Sequence, residues 1–137
     1  MIDIMDEGFE IETDFYLPKL KELTEELELK GTISIKLGDK DESQALNKQY
    51  REKDYATDVL SFPFNEELPE SDGVYVGDIF ICHPVAVEQA AENQVSLEQE
   101  LLTLMVHGVL HLADFDHEED KGEMLAIQDK FMDKFFS

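Results

Sequence analysis

The stretch that follows Ser96 carries Leu101, Leu104, Met105 and Leu112 at helical spacing, a pattern too apolar for a helix lying on a surface. Ser96 and Gln99 have the spacing of a capping box, in which each side chain satisfies an orphan backbone donor at a helix start. This segment is therefore predicted to be a buried central helix that the other elements must cover. A chain of 137 residues can provide that cover in one domain, 1–137, because at this length it buries roughly two-thirds of the surface it exposes unfolded.

The flanking segments show what the cover consists of. In residues 1–12, Ile2 and Ile4, then Phe9 and Ile11, stand at alternate positions, predicting an extended segment with one buried face. From Pro18 the spacing changes to Leu20, Leu23 and Leu27, which predicts a helix with the proline in its first turn and Gly31 at its end. Residues 32–37 alternate again, with Ile33, Ile35 and Leu37 on one strand face, and a second short helix follows over residues 42–51. Residues 57–64 read as a strand that Pro63 ends or confines to a sheet edge. A polar loop over 65–73 leads into the β-branched and aromatic run 74–82, whose short connection backward predicts antiparallel pairing of the two strands. Pro84 opens another helix, and Met124, Leu125, Ile127, Phe131 and Phe135 mark a last amphipathic one.

The order β-α-β-α-β-β-α-α-α lacks the strict alternation of a doubly wound parallel sheet. The predicted fold is α+β: a small, mostly antiparallel or mixed sheet of about four strands, packed against the buried central helix and the surrounding helices. No apolar run approaches the roughly eighteen residues of a membrane span, and the acidic start MIDIMDEGFE lacks the basic and apolar parts of a signal peptide, so a cytoplasmic protein is expected. The single cysteine, Cys82, can form no internal disulfide and reads as a small buried apolar residue.

A formal net charge of -22 excludes a nonspecific nucleic-acid binder, whose affinity would rest on cations that neutralise phosphates. Either the basic groups gather beside a site, or the acidic surface meets a basic protein partner, or the organism's proteins are acidic in general.

Three of the four histidines lie within eleven residues, as His107-Gly-Val-Leu-His111-Leu-Ala-Asp-Phe-Asp-His117. Residues four apart on a helix differ by about 40° in direction and about 6 Å in height, so His107 and His111 can chelate one ion from a rigid backbone. If the helix ends near Ala113, the following turn can bring His117 to the same point. Three protein nitrogens with one open position form the catalytic arrangement of zinc, whereas structural zinc sites are closed by four ligands and usually include thiolates. One divalent ion, zinc by preference, is expected, although nickel and copper also accept three imidazoles. The spacing equals that of the metzincin motif H-E-x-x-H-x-x-G-x-x-H, but Gly108 stands where that motif has its glutamate base. Peptide hydrolysis by that route is not expected, and Gly108 is read as leaving room for a substrate.

Arg51, the only arginine, sits in Asn47-Lys-Gln-Tyr50-Arg51-Glu-Lys53-Asp54. A guanidinium can grip a phosphate with two parallel hydrogen bonds and stabilise charge that develops in phosphoryl transfer. A helix-end salt bridge is an equal alternative. Asp58 and Asp78 read as strand-end residues that bond backbone groups, and Asp116 as a general base, an orienting residue or a turn cap.

Taken together, H-G-x-L-H-L followed by D-H, with N-x-x-Y-R-x-K-D-x-x-T-D-V-L-S-F-P upstream and G-D-I between, resembles the YbeY family over most of the chain. The resemblance implies an α+β metalloprotein acting as a single-strand-specific endoribonuclease in 16S rRNA 3′-end maturation and ribosome quality control. It implies metal ligation by His107, His111 and His117, a functional role for Arg51, and as partners single-stranded rRNA and a ribosomal protein or small subunit. The chain departs from the family at Asp114-Phe115, where Gly-Tyr is usual; an aspartate tolerates a left-handed turn, but any role of a tyrosine hydroxyl there is lost. Two rival readings keep the metal: an assembly module braced by a noncatalytic ion, and a hydrolase of peptides or amides.

Overall fold

The computed structural model describes residues 2–6, 8–63, 75–115 and 123–136. Its elements run β1 (Ile2–Asp6), α1 (Thr13–Glu26), β2 (Thr32–Gly38), α2 (Lys40–Arg51), β3 (Val59–Pro63), β4 (Tyr75–Cys82), α3 (His83–Asn93), α4 (Leu97–Leu110), a π-helical turn (His111–Phe115) and α5 (Glu123–Phe136). The four strands form one sheet in the order β1-β2-β4-β3, in which β1, β2 and β4 are parallel and β3 pairs antiparallel with β4. The fold is α+β and the sheet is mixed, with the expected hairpin at one edge and parallel pairing elsewhere.

Period-two alternation divides the sheet into two faces. Ile33, Ile35, Leu37, Ile79 and Ile81 join a cluster with α1, α4 and α5, whereas Leu60, Phe80 and Cys82 pack on the other face with Leu46 of α2 and Val85 of α3. Helix α4 is the buried centre that its composition predicts: Leu101, Leu102, Leu104, Met105, Val106, Val109 and Leu110 are all buried. At about 1.5–3 kcal/mol for each large apolar side chain removed from water, no other element contributes as much. Ser96 caps it, its Oγ accepting from the Gln99 N–H at 3.1 Å.

Two glycines let α4 and the turn after it lie close on the sheet. A Cβ at Gly108 would stand 2.8 Å from Ile79 Cγ2, and one at Gly77 would stand 2.6 Å from the Phe62 carbonyl and 2.8 Å from Leu112 Cδ2. Gly108 therefore faces the sheet, and the expectation that it makes room for a substrate is corrected: the space it leaves is filled by Ile79.

Four boundaries differ clearly from those read in the sequence. The first strand ends at Asp6, whose carboxylate accepts from the Phe9 and Ile11 N–H groups at 2.8 and 2.6 Å and turns the chain before residue 12. Helix α1 then starts at Thr13, so Pro18 lies inside it rather than in its first turn. Its end is set by Glu28 in the left-handed conformation (φ 54°), with the Leu29 N–H bonding the Thr24 carbonyl at 2.9 Å, and Gly31 lies beyond it. The α-helical part of α4 stops at Leu110 and passes into the π-helical turn instead of running to Ala113.

Outside the histidine cluster, His83 stacks on Phe9 with centroids 4.5 Å apart, and burial holds its imidazole below the ordinary value of 6.5, against a smaller upward pull from Asp6. The unfolded chain thus takes up a proton that the folded chain resists, so this contribution is complete above about pH 6.5 and declines as pH falls through the folded value. His83→Gln is expected to flatten the fall in Tm on acidification between about pH 7 and 5. An unchanged slope would assign the acid sensitivity to other groups.

Candidate metal centre

His107 lies in the last turn of α4 and His111 opens the π-helical turn, so the one-turn spacing of the pair survives the change of helix type. Their rings stand 4.4 Å apart at 64°, and the two Nε2 atoms face each other at 2.8 Å. Two nitrogens on one tetrahedral zinc at about 2.0–2.1 Å stand roughly 3.3 Å apart, so a small opening of this pair suffices to admit an ion between them. Imidazole nitrogens that converge in this way fit a borderline cation such as zinc.

The second nitrogen of His107 is also held. Its Nδ1 lies 3.0 Å from Oε1 of Gln128, a buried residue of α5. Carbonyl acceptors behind a ligating imidazole fix its ring orientation and tautomer. The sequence reading passed over Gln128, yet Met124, Gln128 and Phe131 fall at i, i+4 and i+7, and that spacing puts the amide on the apolar face of its helix. Ser61 of β3 reaches the same stretch of backbone, its Oγ donating to the Gly108 carbonyl at 3.4 Å.

His117 and Asp116 lie outside the described residues. Among the described residues, no group of three or more His, Cys, Asp or Glu side chains is gathered.

Arg51 closes α2, exposed, on the side of the sheet opposite α4. The helix end that carries it is firmly anchored. Buried Asn47 donates from Nδ2 to the Tyr55 carbonyl at 2.9 Å, and the hydroxyl of buried Ser43 both donates to the Thr57 carbonyl and accepts from the Thr57 N–H, each at 2.8 Å. Within the N-x-x-Y-R stretch, the asparagine thus tethers the loop to the helix, and the arginine stands exposed at the helix end. The salt-bridge alternative for Arg51 finds no partner among the described residues, while Lys48 pairs with Asp54. Tyr50, beside Arg51, packs edge-on against Phe62 and lines a cavity of about 570 Å³ on this face with Lys36 and Asp78.

Asp58 accepts from the Val59 N–H at 2.8 Å and its backbone carbonyl accepts from Cys82, consistent with a strand-end role. Burial raises the Cys82 thiol, which leaves it protonated and unreactive.

The fold and this centre define an α+β protein with a histidine-bearing buried helix, and comparison with known proteins gives the family. Residues 5–136 match the family model described as endoribonuclease YbeY. The endoribonuclease YbeY of Staphylococcus saprophyticus is 39% identical over 98% of this chain and 95% of its own length. That of Koribacter versatilis is 46% identical over 77% of this chain and 66% of its own length. A Thermotoga maritima protein solved in solution superposes with a TM-score of 0.71 at 31% identity, over 98% of this chain and 88% of that one. The chain belongs to the YbeY family.

Proposed function

We propose that the protein is a metal-dependent, single-strand-specific endoribonuclease of the cytoplasm, acting in 16S rRNA 3′-end maturation and ribosome quality control. The observation that carries the metal is the pair of Nε2 atoms 2.8 Å apart, backed by Gln128 on His107 Nδ1. His107, His111 and His117 would hold one divalent ion, zinc by preference, with a coordination position left for substrate or water. When bound, such an ion supplies Lewis acidity toward a phosphate oxygen or an attacking water.

The chain's own residues do the rest. Two Nε2 atoms at 2.8 Å share a proton between them, and ligation requires both to present lone pairs, so one ring must move its proton from Nε2 to Nδ1. With Nδ1 of His107 donating to Gln128, the ring that must change tautomer is His111. Arg51, exposed at the end of α2, would offer its guanidinium fork to a phosphate of the RNA and to the charge that builds there as the bond breaks.

Cleavage of a defined single-stranded RNA by the zinc-loaded protein, with and without chelator, tests the reading; activity that is indifferent to chelator sinks it. Arg51→Ala should lower kcat/KM by about 10²–10³-fold, with lysine restoring only part of that loss. A drop of less than about threefold would leave Arg51 outside the chemistry.

The net charge of -22 supports one addition: a basic ribosomal protein as partner, docking on the acidic surface and delivering the enzyme to its RNA. If chelation lowers Tm while no RNA is cut in either sample, the protein is instead an assembly module braced by its ion.

A further inference from the structure

We infer that Gln128 is a positioning residue: it fixes the tautomer of His107 and so sets how tightly the histidine pair takes its ion, an inference that rests on the metal-centre reading above. Helix α5 otherwise turns Met124, Phe131 and Met132 to the core, and Gln128 lies among them with only 9% of its surface exposed. An amide in such a place costs free energy unless it is bonded, and a methionine of similar length would fill the space without that cost. The partner found for this amide is Nδ1 of His107, at 3.0 Å.

A neutral imidazole carries one proton. With the Gln128 carbonyl accepting, the proton sits on Nδ1, and the Nε2 lone pair points at His111 Nε2. His107 is then ready to ligate before any ion arrives, and only His111 must shift its proton, from Nε2 to Nδ1. With the amide reversed, its NH₂ would donate to Nδ1, the proton would sit on Nε2 of His107, and that ring could not ligate until the amide turned back. Amide orientation on α5 therefore controls a nitrogen on α4.

The test uses the full chain and zinc alone as the probe, with Gln128→Met and Gln128→Glu compared to the wild type. A carboxylate at this position can only accept, so it enforces the assigned tautomer, and methionine removes the acceptor. Three quantities are measured: zinc affinity by competition with a chromophoric chelator, the ¹⁵N shifts of the His107 ring in metal-free protein, and Tm in chelator. The expected result is that Gln128→Met weakens zinc by about 10–100-fold with Tm in chelator held within a few degrees. Gln128→Glu should bind zinc at least as well as the wild type, and the ¹⁵N shifts should show Nδ1–H in the wild type and the Glu variant but a mixture in the Met variant.

Wild-type zinc affinity in Gln128→Met would overturn the inference, as would equal loss of Tm and of zinc in both variants, which would make Gln128 a packing residue only. If the wild type itself binds no zinc, the metal-centre reading fails. The ¹⁵N tautomer of metal-free His107 then still decides whether Gln128 sets it.

Discussion

Replacing His111 by alanine is expected to abolish metal-dependent RNA cleavage, lowering it by at least about 10³-fold while the protein stays folded. The half-buried imidazole supplies one of the two nitrogens that meet at 2.8 Å, and the rest of its turn is anchored by Leu110 and Leu112 in the core. Without it, His107 presents a single described nitrogen, and bidentate chelation from one helix is gone. Zinc content per chain should fall in parallel, and the far-ultraviolet spectrum should be unchanged. Undiminished cleavage by this variant would reject the metal-centred mechanism.

The second large effect falls on stability. Gly108→Ala gains about 1 kcal/mol of helix propensity, but its Cβ would meet three carbons of Ile79 at 2.8, 2.9 and 3.1 Å. Relief requires α4 to lift from β4 or Ile79 to leave its rotamer, at about 1–3 kcal/mol. A net loss of up to about 2 kcal/mol is expected, read as a lower denaturant midpoint at constant m. Gly108→Glu should cost more than about 4 kcal/mol, because the carboxylate is driven into an apolar interface without a partner. The substitution that would restore the metzincin glutamate thus unfolds this protein rather than arming it. An alanine variant more stable than the wild type would mean that helix and sheet are not in such close contact.

How much of this was open to sequence reading depends on the range of the interaction. Helix α4 was legible because its apolar spacing and the Ser96 cap are local, and the His107/His111 pair followed from the same period. The β3/β4 hairpin was legible because its strands are close in sequence. The parallel pairings of β1 with β2 and of β2 with β4 were not, since alternating strands show which face is buried but not which neighbour they adopt. Pro18 misled because a proline at a helix start is common, and the turn built by the Asp6 carboxylate came too early in the chain for that reading. Gly108 misled because a missing side chain reads equally as space for a ligand or for a neighbouring residue. Gln128 stayed hidden because an amide looks like a solvent-facing residue until the helix phase is counted.

The sheet's two outer strands carry one more consequence. β1 is short and bears Asp3 and Asp6, and β3 ends in Pro63, which has no N–H to offer. Charge on one border and a missing donor on the other make both poor templates for a further strand. Molecules crowded together at high concentration therefore have no easy route to stitch their sheets into fibrils, even though the strands between are rich in isoleucine.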